Sequence, residues 1–172
     1  MAEGNGTMSN FYKDVICRDS RFETLHQVND MGMLEPTFRA KVEGILTDAK
    51  AKGVELLVLE TYRSRSRQLA LYHKGATQLK TISVHHFGLA CDLGILKAGG
   101  SINWKADYAI LGKLAVVRRA IWGGDWGTPK QPHNFRDYDH VQGISVRRQT
   151  MLFNGTWYPS GNYDPITELA SV

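Results

Sequence analysis

Residues 83–92, SVHHFGLACD, place His85 seven positions before Asp92 with a glycine between them. Imidazole and carboxylate are both metal ligands and acid–base groups. Three arrangements are therefore open: a buried strand with incidental polar residues, half of a metal site, or a nucleophile-and-base pair without metal. Positions seven apart in a regular strand lie on opposite faces. His85 and Asp92 can converge only if the chain bends, and Gly88 is where a bend costs least. The glycines make the segment a poor helix. It reads as a loop entering a strand that contains Asp92. One histidine near one aspartate is also commonly a surface pair, so this stretch alone leaves the choice open.

A second segment, FRDYDHVQ, holds Asp137, Asp139 and His140. A catalytic zinc site needs three protein ligands, neutral imidazole or carboxylate, and an open fourth position for water. His85, Asp92 and His140 meet that count, which leaves Asp137 free as general base. Arg63 follows the apolar run VELLVLE, at a strand end where functional loops emerge. A fixed guanidinium there can hold a substrate carboxylate or a developing oxyanion; a plain surface arginine is the alternative. Trp122 and Trp126 suit either a substrate groove or packing. His133 and His73 read as loop and helix-surface residues.

These groups need elements to hold them. Ser20 and Glu23 form a capping-box pattern for a short helix. Pro36 opens a helix whose Phe38, Val42, Ile45, Leu46 and Ala49 share a face, and Gly53 ends it. Residues 54–60 read as a buried strand, 64–75 as a helix, and 88–95 as a second strand. Residues 105–124 read as one long helix stopped by Gly123 and Gly124. A polar loop and the short strand HVQGI follow, then a hairpin around Asn154-Gly155. Helices with isolated strands and no βαβ rhythm indicate an α+β fold, with a central antiparallel sheet flanked by helices.

The 172 residues suit a single domain. The expected division is a flexible leader over 1–18, a catalytic domain over 19–142 and a C-terminal extension over 143–172 packed on the same domain. Hydrophobic residues are 42% and charged residues 22%, as in ordinary globular proteins. No apolar run reaches membrane-helix length, so no stable membrane insertion is expected. No secretory signal is visible, which fits synthesis in the cytosol. Cys17 and Cys91 are too few and too far apart for a disulfide framework. The charge of +4 favours anionic partners. The arginines are dispersed rather than striped, which argues against nucleic acid.

Together these motifs resemble a known family. SVHHFGLACD matches the pattern Ser-x-His-x-x-Gly-x-Ala-x-Asp of the zinc D-alanyl-D-alanine peptidases of the vancomycin-resistance carboxypeptidase type. TYRS followed by Gln68 resembles a second motif of that family. WGGDW with DYDH resembles its branch of L-alanyl-D-glutamate peptidases and phage endolysins. The likeness covers about residues 20–142. It implies a Zn2+ cofactor on His85, Asp92 and His140, with Asp137 as catalytic acid/base and Arg63 as substrate or transition-state arginine. It implies that Gln68 accompanies Arg63 and that Ser83 precedes the first ligand; Ser83 and Trp126 are expected to contact the substrate. His86 is assigned a pocket or surface role. The implied partner is the peptidoglycan stem peptide, cut by a monomer that accumulates in the cytosol and reaches the wall on release. L-alanyl-D-glutamate is the expected bond. D-alanyl-D-alanine carboxypeptidase activity is one rival, and a Hedgehog-like zinc-containing binding module without turnover is another.

Overall fold

The computed structural model describes residues 10–171. Its frame is a four-stranded sheet in the order β1-β2-β4-β3, antiparallel throughout, made by β1 (Leu56–Glu60), β2 (Ala90–Ile95), β3 (Ile121–Trp122) and β4 (His140–Gln142). The α-helices of the described residues are α1 (Phe11–Asp14), α2 (Pro36–Ala51), α3 (Arg65–His73), α4 (Ala109–Val117), α5 (Gln149–Phe153) and α6 (Pro165–Ala170). Period-two alternation divides the sheet. Cys91, Leu93 and Val141 join the main core, together with Phe38, Val42, Ile45 and Ala49 of α2 and Leu111, Leu114 and Ala115 of α4. Each such side chain, fully buried, stabilises the fold by roughly 1.5–3 kcal/mol if it is a large aliphatic. The register pairs Asp92 with Glu60 on one side and His140 on the other, so three polar residues form one row across β1, β2 and β4.

The helix from Pro36 follows the sequence pattern. Glu35 caps it by accepting from the Phe38 N–H at 2.8 Å, and proline sits in the first turn, where a missing N–H costs nothing.

Four expectations are corrected. The run 105–124 is not one helix. α4 closes at Val117, where Arg119 N bonds Val116 O and Ala120 N bonds Ala115 O, with Arg119 at φ 58. Ile121 and Trp122 then add a strand to β4, because their ladder bonds with Val141 and Gln142 outweigh helical periodicity. The hairpin at Asn154-Gly155 is absent. α5 precedes it, and Gly155, at φ 71, terminates that helix, with its N–H on Leu152 O and Thr156 N on Met151 O. Ser20 and Glu23 open no helix; residues around them form a turn in which Asp19 accepts from the Arg21 backbone and guanidinium. The leader expected over 1–18 is replaced over 10–18 by α1 and a 3-10 turn, Ile16–Arg18, whose Ile16 is buried with Val28, Met33 and Tyr62. Residues 1–9 of that leader lie outside the described residues.

The segment after residue 142 packs on the same sheet. Leu152 enters the main core, Tyr158 donates to Phe87 O at 2.9 Å, and Glu168 accepts from Ser145, Tyr163 and Arg148. Cys17 and Cys91 are free thiols. Among the described residues no helix is long and apolar enough to cross a membrane.

Candidate metal centre

His85 sits on a 3-10 turn, Val84–Phe87, that Gly88 closes in the left-handed region at φ 70. A Cβ at Gly88 would come within 2.5 Å of Met33 O, so the bend also needs glycine for space. The turn brings His85 Nε2 to 3.2 Å from Asp92 Oδ1. His140, across the ladder, brings its Nδ1 to 3.0 Å from the same oxygen. One donor atom from each of the three residues lies within 4.8 Å of the others.

The hydrogen-bond network tests whether this trio fits a cation. Gln142 donates its Nε2 to Ile144 O at 2.7 Å, which turns its Oε1 toward His140 Nε2 at 3.1 Å. An amide oxygen only accepts, so His140 Nε2 carries the proton. In the neutral ring, Nδ1 then presents a lone pair to a carboxylate oxygen that also only accepts. Such an arrangement requires a positive species, either an extra proton or a metal ion. Two imidazole nitrogens, one carboxylate oxygen and an acceptor fixing the distal His140 nitrogen are the donor set and outer support of a catalytic zinc site. Burial would push the Asp92 carboxyl up, but His85 and His140 outweigh it and hold it well below the usual carboxylate range. Burial lowers His140, and the bond to Asp92 more than reverses this.

Arg63 closes the other side of Asp92. It donates to Glu60 through Nε at 2.9 Å and Nη2 at 2.5 Å, to Asp92 Oδ2 at 3.2 Å, and through Nη1 to Gln68 Oε1 at 3.3 Å. Four of its five N–H groups thus fix the guanidinium, leaving one on Nη1. Gln68 is anchored in turn to Leu79 O at 2.5 Å and Thr77 Oγ1 at 3.2 Å. Glu60, 3% exposed, also accepts from Arg67 Nε.

Arg63, Ser83, Trp126 and Asp137 line a small pocket with His85 and His140. Ser83 Oγ and Trp126 Nε1 are buried there without a hydrogen-bond partner among the described residues. Trp126 stacks on His133 at 4.3 Å and lies 4.9 Å from the His140 ring, so it serves packing and pocket wall together. His133, read as a loop residue, lines the same pocket. Asp137 is placed by its N–H on Gly123 O at 3.1 Å, and a Cβ at Gly123 would strike Asp137 O at 2.3 Å. That approach is the physical reason for glycine in WGGDW. Asp139 turns to the cleft on the far side of Asp137. Burial, then a hydrogen bond with Asp137, pushes its pKa up.

Arg63, Ser83, His85, Trp126, Asp137 and His140 thus line one pocket, with Asp92 and Gln68 bonded to its members, whereas Trp122 and Asp139 line the neighbouring cleft. His86 turns away into a ring of Tyr12, Phe22, Tyr62 and Phe87. Two residues escaped the sequence reading. Glu60 hid as the last letter of an apolar strand; its signal was a lone carboxylate at a buried strand end followed by arginines at i+3 and i+7. Gln142 hid because only the ladder puts i and i+2 of β4 on one face.

No family model matches the chain. It is 30% identical over 129 residues to the peptidoglycan L-alanyl-D-glutamate endopeptidase CwlK of Bacillus subtilis, an alignment covering 64% of this chain and 74% of that protein. It is 30% identical over 117 residues to the L-alanyl-D-glutamate peptidase of a Listeria phage, covering 63% of this chain and 41% of that longer protein. The crystal structure of the L-Ala D-Glu endopeptidase ChiX from Serratia marcescens shares the fold, with TM-score 0.51 and 21% identity, over 69% of this chain and 90% of ChiX.

Proposed function

Since the chain belongs to the L-alanyl-D-glutamate peptidases, we propose that it is a zinc metallopeptidase that hydrolyses the L-alanyl-D-glutamate bond of the peptidoglycan stem peptide. The observation that carries the reading is the shared Asp92 oxygen facing His85 Nε2 and His140 Nδ1, a junction that calls for a cation.

His85, Asp92 and His140 are the residues that would hold the zinc. When bound, the ion supplies Lewis acidity toward the scissile carbonyl and acidifies the attacking water to a pKa of roughly 7. Asp137, on the wall of the same pocket, takes the proton from that water and returns it to the departing amine nitrogen. Arg63 stands rigid between Glu60, Asp92 and Gln68 and offers its remaining Nη1–H to negative charge on the substrate. Ser83 Oγ and Trp126 Nε1, buried and unpartnered, offer polar contacts at the pocket wall. Gln142 keeps the proton on His140 Nε2, so Nδ1 stays available as a ligand. The protein acts as a monomer on the cell wall after synthesis in the cytosol, with its positive charge favouring approach to an anionic envelope.

Mass spectrometry of sacculi digested by the zinc-loaded protein tests the bond. New N-terminal D-glutamate on released peptides is the expected product; free D-alanine alone would assign the carboxypeptidase activity instead. Asp137→Ala is expected to lower kcat by about 10²–10⁴-fold, as for a lost acid/base, with zinc content still near one per chain. Full activity in that variant would remove Asp137 from the reaction. A binding-only module would release no product from either protein.

A further inference from the structure

The pocket directly over His85, His140 and Asp137 measures about 40 Å³. That is room for a few water-sized groups rather than a chain. A polymeric substrate needs room elsewhere. Asp137 also lines a second, open cleft of about 560 Å³ on its other side, within the range of ligand sites. The cleft is walled by Trp104, Trp122 and Tyr138, with Lys105 and Arg136 at its rim. Trp104 is 63% exposed and Tyr138 51%, the two most exposed aromatic side chains among the described residues. Trp122 is fixed by its indole N–H on Tyr138 O at 2.7 Å. Among the described residues no carboxylate lies within ion-pair distance of the Lys105 ammonium or the Arg136 guanidinium, although Asp125 feels the Arg136 charge, whereas Arg63, Arg67, Arg118 and Arg148 each hold a carboxylate.

Large aromatic rings left exposed in a cleft carry a cost that a ligand removes. Flat faces edged by donors and acceptors suit a pyranose, whose C–H face stacks on the ring while its hydroxyl and acetamido groups meet the polar rim. The substrate supplies such a group near the scissile bond, and Asp137 lines both the cleft and the metal pocket. The alanyl carbonyl of the stem is two residue-length units, alanine and the lactyl group, from the ether of an N-acetylated sugar, about 7 Å of extended chain. We infer that the cleft of Trp104, Trp122 and Tyr138 is a saccharide subsite that holds the N-acetylhexosamine end of the substrate while the peptide crosses Asp137 into the metal pocket. The inference rests on the proposed peptidase activity for its substrate, and on the cleft itself for its chemistry.

Two measurements test it. The first compares kcat/KM for a disaccharide-bearing stem peptide with that for the same peptide lacking sugar. The wild-type protein is expected to prefer the first, and Trp104→Ala and Tyr138→Ala to reduce that preference about tenfold, through KM. Both side chains are more than half exposed, so truncation leaves the core intact. A preference that does not change, or an equal loss on both substrates, would overturn the inference; the equal loss would make the cleft a peptide subsite. The second measurement needs no turnover. Titration of the wild-type protein with a tetramer of N-acetylglucosamine, followed by the NMR signals of the tryptophan indole N–H groups, is expected to shift Trp104. No shift at millimolar saccharide would overturn the subsite. If the wild-type protein cleaves neither peptide, the peptidase reading fails and the saccharide titration decides the subsite alone.

Discussion

His85 and His86 are neighbours on one 3-10 turn, yet the two regions they enter could hardly differ more. His85 faces Asp92 through Nε2, and its Nδ1 is buried with no hydrogen-bond partner among the described residues. His86 has both nitrogens satisfied: Nδ1 donates to Arg63 O at 3.3 Å, and Nε2 accepts from the Tyr12 hydroxyl at 2.9 Å. That pattern fits the neutral ring. Burial lowers the His86 pKa to about 4. On the other side of the turn, the cluster around Asp92 demands positive charge. One side is built to gather a cation, the other to keep an imidazole uncharged and packed. The residue type sets neither role; the partners available to each nitrogen do.

The sharpest break of this contrast is His85→Ala, which is expected to abolish zinc uptake and hydrolysis, read by metal analysis and turnover, while the circular dichroism spectrum stays native. Retained zinc at one per chain would show that the trio is not the site. Gln142→Leu is a smaller intervention on the same side. It removes the acceptor that orients His140, and an outer-shell loss of this kind weakens metal affinity by about 10–100-fold. Competition with a chromophoric chelator measures it. His86→Leu probes the opposite side. It leaves the Tyr12 hydroxyl and Arg63 carbonyl without their partner, at a cost of about 1–3 kcal/mol per buried group. Denaturant midpoints should fall, while the zinc stoichiometry of the folded protein is unchanged.

The same residue gives the weakest and most graded effect, one of pH. A histidine lowered from 6.5 to about 4 binds fewer protons folded than unfolded between those values. Its contribution therefore makes the fold less stable as pH falls from 6.5 toward 4. Denaturation midpoints of the wild type and His86→Leu should converge across that window, because the variant has no such proton to exclude. Parallel curves would mean that His86 does not titrate as its surroundings require.

Much of the site was legible along the chain because ligand chemistry depends on residue type and spacing. His85, Gly88 and Asp92 announce a bent entry to a strand, and Asp137 with His140 completes the donor count. The helix from Pro36 was legible from its apolar face and its ends. The stretch 105–124 was not, since Ile121 and Trp122 fit a helical pattern as well as a strand. Only a free edge on β4 decided between them. Asn154-Gly155 misled for a related reason. A residue pair that favours positive φ serves a hairpin or a helix terminus equally, and the burial of Leu152 selected the second.

The amino-acid order by itself determined which groups could bind a cation and move a proton, because imidazole, carboxylate and guanidinium carry that chemistry wherever they stand. The folded chain decided which of two adjacent histidines would face the cation. It placed Glu60 behind Arg63 and gave Gln142 the distal His140 nitrogen. Those assignments depend on ladder register and on the direction of single lone pairs. Both are set by residues far apart in sequence that meet only when the sheet forms.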